Sequence, residues 1–335
     1  MTGGGSDLAI EVRGVSKVYA GAFGFGKRVN ALRGVDMTVG RGEVFGLLGP
    51  NGAGKSTLVK ILMTVIRASA CSGHMLGAPV GHKATLRRVG YLPEHHRFPD
   101  YLTGAQVLDY FAALGDVPRS DRRKRAGELL DLVGITRWKD QRVRGYSKGM
   151  RQRLGVANAL MNDPDIVLLD EPTDGVDPVG RRDIRNILLE VKRRGKTVFI
   201  NSHLLSELEM VCDRVAIIVQ GVVSSQGTIK ELTQGQRRYE IEVGDAAGGG
   251  AALALVQGGP RATVKGGTIV IESADPVHAQ PVIDALRSRS VQIVAVRPVR
   301  PSLEDLFMQA VTDPASGEVL KPGAAEDGAT KGAAR

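Results

Sequence analysis

Gly49-Pro50-Asn51-Gly52-Ala53-Gly54-Lys55-Ser56-Thr57 decides the reading of this chain. The nine residues fit the pattern GxxxxGK[ST]. The run before them, Glu43 to Gly49 (EVFGLLG), is apolar and ends in glycine, as a buried strand does. The run after Lys55, Ser56 to Ile66 (STLVKILMTVI), carries apolar residues at helical spacing. A strand, a glycine loop and a helix in that order are the context that gives the pattern its meaning. Glycines let the backbone curl so that successive N–H groups point inward at phosphate oxygens, and the helix adds its positive end. Lys55 is placed to reach β- and γ-phosphates, and the Ser56 hydroxyl to ligate Mg²⁺. The whole loop from Gly49 to Thr57 is therefore a candidate nucleoside triphosphate site. No NKxD guanine-reading motif accompanies it, so ATP is the expected nucleotide.

A second run supplies acids. Ile166-Val167-Leu168-Leu169 is followed by Asp170-Glu171-Pro172-Thr173, which reads as a buried strand with two carboxylates at its end. Side chains alternate along a strand, so the two acids need not share one task. Asp170 suits the support of Mg²⁺, directly or through water. Glu171 suits the polarisation of an attacking water as general base.

Outward from these two runs the chain divides in two. Residues 8–48 are β-rich, with apolar alternation in LAIEVRGVSKVYA and ALRGVDMTV. Residues of about 98–160 read as a helical block, and strands alternate with helices again up to about residue 235. A smaller unit over 237–312 shows strands, a hairpin about Gly266-Gly267, and two helices. Residues 1–7 and 313–335, rich in Gly, Ala, Pro and Lys, have little to bury and are expected to lack order, as is the GDAAGGGAA stretch. The length of 335 residues fits two domains. No stretch approaches 18 apolar residues and the start carries no secretory pattern, so a cytoplasmic protein is expected. Cys71 and Cys212 lack metal-ligand spacing and are expected to be unpaired thiols. The net charge of +9 permits nucleic acid, an anionic membrane surface or a solvated basic face. At 4 % aromatic residues the chain has few rings on which to stack single-stranded bases. The dense run Arg119 to Arg125 is expected to be an exposed helix face.

The ordered motifs resemble the nucleotide-binding subunit of an ABC transporter. Tyr146-Ser147-Lys148-Gly149-Met150-Arg151-Gln152 is similar to the family signature, usually LSGGQ. Asn201-Ser202-His203 resembles the switch-histidine segment, Thr173-Asp174-Gly175-Val176-Asp177 the loop that crosses the dimer interface, and Val15 to Tyr19 the start of the family, where an aromatic stacks on adenine. The resemblance covers about residues 8–235. It implies an α/β P-loop NTPase fold with an antiparallel β subdomain and a helical subdomain, here followed by a small C-terminal α+β domain. It also implies a head-to-tail dimer with two ATP and Mg²⁺. In that dimer Ser147, Lys148, Gly149 and Met150 of one subunit close over ATP held by the other, and Gly175 and Asp177 lie at the interface. Tyr19 would stack on adenine, and His203 would hold the water together with Glu171. Ser147 is equally an ordinary helix cap, and the two readings are compatible.

Two departures stand out. Glu94 follows Val89-Gly90-Tyr91-Leu92-Pro93 where the family usually has Gln, and a carboxylate there can approach Mg²⁺ through water. The signature has Lys148 for Gly and Met150 for Gln. These variants, with the ending Pro301 to Phe307 (PSLEDLF), resemble the stand-alone exporter ATPases. Those work with a separate type-2 permease, which implies a peripheral place on the inner face of the membrane. Two other classes fit less well. ABC ATPases of ribosomes or DNA usually carry paired cassettes, coiled coils or zinc sites, so no specific nucleic acid is expected. A P-loop small-molecule kinase gives no reason for the signature.

Overall fold

The computed structural model describes residues 7–19, 28–233, 238–244, 262–273, 275–299, 302–312 and 318–320. The Gly-rich start, residues 245–252 and most of the C-terminal tail, all expected to lack order, lie outside the described residues. Asp7 is described, and its carbonyl accepts from the Arg41 amide at 3.0 Å. In the tail, Val319 bridges to Thr312. Chain contacts give two compact units: residues up to Thr228 together with those from Ala310 on, and Ile229 to Gln309. That division falls a few residues before the boundary expected near 236.

The first unit begins with β1 (Leu8–Tyr19) and β2 (Val29–Gly40), paired antiparallel. Their alternate apolar residues, among them Ile10, Val12, Val35, Met37 and Val39, are buried. Then β3 (Val44–Leu48) enters the core with all five residues buried, as a strand covered on both faces must be. Helix α1 (Lys55–Leu62) follows the glycine loop. Next come β4 (Ala70–Met75) and β5 (Ala78–Pro79), which complete an antiparallel sheet of order β2-β1-β4-β5. β6 (Val89–Leu92) leads into the helical block of α2 (Gly104–Leu114), α3 (Arg119–Leu132) and α4 (Lys148–Ala159). The chain returns through β7 (Ile166–Asp170), α5 (Pro178–Arg193), β8 (Thr197–Ser202), α6 (Leu205–Val211), β9 (Arg214–Val219) and β10 (Val222–Thr228).

The second sheet has the order β10-β9-β3-β8-β7-β6. Its neighbours are parallel except for the hairpin of β9 and β10. Phe45 and Phe199 stack across β3 and β8 with ring centroids 5.7 Å apart. The expected α/β architecture, with an antiparallel sheet and an inserted helical block, is thus present.

Helix α2 starts at a reciprocal cap. The Gln106 amide donates to Thr103 Oγ1 at 3.2 Å, and the Thr103 amide donates to Gln106 Oε1 at 2.9 Å. Replacing Thr103 by Ala removes an acceptor for an otherwise unpaired helix N–H. The expected loss is about 1 kcal/mol, seen in thermal melting as a fall of roughly 2–4 °C for a unit of this size.

The second unit contains α7 (Ile229–Leu232), β11 (Arg238–Val243), β12 (Ala262–Lys265), β13 (Thr268–Ile271), α8 (Gln280–Ser288), β14 (Ile293–Val299) and α9 (Leu303–Val311), whose last two residues belong to the first unit. Its antiparallel sheet runs β12-β13-β11-β14. Ile241, Ile269, Ile271, Val282 and Leu286 form its core. Among the described residues no helix is long and apolar enough to cross a membrane. Cys71 and Cys212 are unpaired.

Candidate functional site

The carboxyl ends of β3, β7 and β8 lie side by side, and an open sheet of parallel strands forms its crevice at that edge. The glycine loop follows β3, Asp170 ends β7 with Glu171 next after it, and His203 follows β8. Together with Tyr19 at the end of β1 they line one cavity of about 610 Å³. Of the expected residues, Tyr19, Asn51, Gly52, Gly54, Lys55, Ser56, Thr57, Glu94, Asp170, Glu171 and His203 face it. Gly49, Pro50 and Ala53 build the loop without lining the cavity. Ala53 is buried, donates to Pro50 O at 3.1 Å, and accepts from the Gly221 amide at 2.9 Å. That second bond ties the loop to the turn between β9 and β10. Gly54 has φ +105°, and a Cβ there would sit 2.5 Å from the Ala31 carbonyl oxygen on β2. No other residue fits.

Lys55 opens α1 and is only 7 % exposed. Its Nζ donates to Gly49 O at 2.7 Å and to Pro50 O at 3.2 Å. Burial pushes its ammonium below the usual lysine range, and the charges of Glu171, Asp170 and Glu94 oppose that shift. The cation is therefore held in a desolvated place among three carboxylates. Tyr91 on β6 feels the same surroundings. Burial first, then Asp170 and Glu94, push its phenol up to about 12. Tyr19 is 39 % exposed with Lys17 Nζ 5.0 Å from its ring centroid, so one face of the ring is covered by a cation.

The two acids differ, as their alternation on the strand predicts. Asp170 is buried and accepts from Asn201 Nδ2 at 2.5 Å. Burial raises its pKa above the ordinary carboxylate value, against the Asn201 hydrogen bond and with help from Glu94 and Glu171. Glu171 leaves the strand with φ +50°. A non-glycine residue in that region costs about 1–3 kcal/mol and persists only where its neighbours fix it. Here they do. Its N–H donates to Asn201 O at 2.8 Å, and its carbonyl accepts from Gln152 Nε2 at 3.3 Å and from the Asp174 amide at 3.2 Å. Its carboxylate is aimed by two more bonds: Oε1 lies 2.9 Å from His203 Nδ1, and Oε2 accepts from Ser202 Oγ at 3.2 Å. A proton on Nδ1 leaves the other ring nitrogen, Nε2, for a further partner. The arrangement suits the removal of a proton from a water.

Comparison with known proteins decides the family. A family model described as ABC transporter matches residues 32–174, and one described as the C-terminal domain of DrrA1-3-like ATP-binding proteins matches residues 227–311. An uncharacterized ABC transporter ATP-binding protein of Synechocystis, sll0415, is 41 % identical over 306 residues, covering 91 % of this chain and 85 % of that one. The chain is an ABC transporter ATP-binding protein. The chain is also 33 % identical to the daunorubicin resistance ATP-binding protein DrrA3 of Streptomyces coeruleorubidus over 314 residues, 92 % of this chain and 97 % of DrrA3. The post-hydrolysis dimeric structure of the cassette MJ0796, bound to ADP and Pi, shares the fold. Its TM-score is 0.59 at 23 % identity, and the match covers 66 % of this chain and 98 % of that one. The resemblance read from the motifs is borne out, and so is the P-loop NTPase fold.

The cassette's signature supplies no lining residue of the cavity, neither Ser147 nor Lys148, Gly149 or Met150. Ser147 caps α4, accepting from the Met150 amide at 3.2 Å; Ser147 and Lys148 are exposed, and Gly149 and Met150 are half-buried. Lys148 Nζ pairs with Asp174 Oδ2 at 3.0 Å. Gly175 and the exposed Asp177 follow, and Asp177 is the N-cap residue of α5 ahead of Pro178. Four residues around the acids were missed as site residues. Asn201 and Ser202 lie inside the quoted NSH segment, where only the histidine was assigned a role. Asp174 likewise lies inside a quoted segment, and it lines the cavity. Gln152 closes the quoted signature segment, where no role was assigned to it, and it is buried.

Proposed function

We propose that this ATP-binding subunit is the ATP-hydrolysing motor of an exporter and works as a head-to-tail dimer. The observation that carries the reading is the split just described. Lys55, Ser56, Asp170, Glu171 and His203 are gathered at one cavity, and the signature residues of the same chain lie outside it. Ser147 and the Gly149 backbone then serve a γ-phosphate held by a second copy or a paired cassette. ATP joins the two surfaces, and hydrolysis releases them.

In this reading Tyr19 stacks on adenine. The loop amides and Lys55 bind the phosphates. Glu171 takes the proton of the attacking water while His203 orients it. The oxygen-only donor set of Ser56 and Asp170, with Glu94 beside it, fits Mg²⁺, which keeps much of its water and binds through few protein ligands. Among the described residues no cluster of three His, Cys, Asp or Glu forms a stronger cage. Bound there, Mg²⁺ would neutralise charge on the phosphate oxygens.

Relatives named for daunorubicin resistance and for fluoroquinolones export support the export reading, while a separate type-2 permease and a peripheral place on the membrane's inner face rest on the motif resemblance. The domain extents 8–235 and 237–312 belong to the same reading. The densest basic run does not argue for nucleic acid, because two of its arginines are engaged internally. Arg122 donates to Val117 O, and Arg125 to Leu160 O and Asp163.

The test is concentration. ATP turnover per subunit should fall as the chain is diluted through its dimer dissociation constant, and addition of the cognate permease in vesicles should restore it. Turnover per subunit that holds constant under deep dilution would contradict the shared site.

A further inference from the structure

We propose that Lys148 is a positioning residue for Glu171 of its own chain, acting through Asp174. The inference rests on the general-base reading of Glu171 given above. Lys148 is the first residue of α4, where a cation opposes the helix dipole. It has a partner there, Asp174 Oδ2 at 3.0 Å. The loop is shaped around that ammonium. Gly175 has φ +61°, and a Cβ on it would fall 1.9 Å from Lys148 Nζ.

The Asp174 amide in turn donates to the Glu171 carbonyl at 3.2 Å. Gln152, four residues after Lys148 and so on the same face of α4, donates to that same carbonyl at 3.3 Å. One face of α4 thus holds Glu171 by two routes, one direct and one through the Lys148–Asp174 pair. The residue it holds is the one whose backbone sits at φ +50°. A half-exposed ion pair adds little to global stability, so its consequence here is orientation. Loosening Asp174 lets the Glu171 backbone relax and takes the carboxylate away from His203 and the cavity. The helix whose first turn closes over one nucleotide in the proposed dimer is therefore also the helix that aims the base at the other.

The experiment is a double-mutant cycle on steady-state ATP turnover of the full chain. Lys148→Met and Asp174→Asn should each lower kcat roughly 5- to 20-fold with the KM for ATP within about twofold. The double variant should be no worse than either single. The exchanged pair, Lys148→Glu with Asp174→Lys, should recover to within about threefold of the parent. A direct contact of Lys148 with nucleotide would not be rescued by moving its charge to position 174. Unchanged kcat in the singles, additive losses, an effect on KM alone, or no recovery in the exchanged pair would each overturn the proposal. Failure of the underlying reading looks different: there Glu171→Gln itself would keep its turnover.

Discussion

Glu171→Gln is expected to lower ATP turnover roughly 10²- to 10⁴-fold, the usual worth of a positioned general base, while ATP binding is retained. The substitution keeps the size and shape of the side chain. The backbone bonds that hold residue 171, from Gln152, Asp174 and to Asn201, do not involve the carboxylate. What disappears is a basic oxygen aimed by His203 at 2.9 Å and Ser202 at 3.2 Å. One negative charge also leaves a cavity that already contains Asp170 and Glu94, so the triphosphate meets less repulsion. With binding kept and hydrolysis blocked, the ATP-joined dimer should accumulate. Phosphate release measures the first effect, and gel filtration with and without ATP the second. Turnover within a few-fold of the parent would remove Glu171 from the role of base and leave His203 as the next candidate.

The sequence carried the parts of this site that depend on local pattern. The glycine loop needs only a strand before it and a helix after it, and both are visible in β3 and α1. Asp170 and Glu171 follow four apolar residues, which is how a buried parallel strand ends. The parts that escaped depend on packing between distant segments. Gln152 meets Glu171 only because α4 lies against the end of β7. Asp174 gains its meaning from a lysine 26 residues earlier, and that lysine, read alone, was only a departure from the usual glycine. β4 was missed for a related reason. Its residues Ala70 to Met75 are mostly exposed and show no apolar alternation. The strand exists because its backbone pairs with β1, from Ile10 opposite Met75 to Ser16 opposite Ala70. In the second unit the alternation of β11 was legible because Ile241 and Val243 reach the core on either side of the exposed Glu242, and the hairpin because two glycines join its strands at Gly266-Gly267.

Lys55→Met is expected to separate binding from hydrolysis in the opposite way. The ammonium is almost fully buried, and two of its three donors go to Gly49 O and Pro50 O. A charge-assisted hydrogen bond is worth about 1.5–3 kcal/mol, so losing the cation opposite a triphosphate should weaken ATP affinity roughly 100-fold. Ligand linkage makes this measurable. At ATP 100 times its Kd the folded state gains about 2.7 kcal/mol, and after a 100-fold loss of affinity only about 0.4 kcal/mol. For a unit of this size that is an ATP-induced Tm rise of roughly 5–11 °C falling to about 1 °C. The nucleotide-free protein should stay folded, because burying the charge is itself unfavourable and methionine fills a similar volume. The sign is open to a separate check. Burial lowers the native pKa of Lys55 below its usual 10.5, so the unfolded chain binds the proton more tightly and native stability gains as pH rises toward 10.5. That alkaline gain should vanish in Lys55→Met. Glu171→Gln should keep the full ATP-induced rise that Lys55→Met loses. A Lys55→Met protein that still shows the full rise with ATP would mean that the loop backbone alone holds the nucleotide.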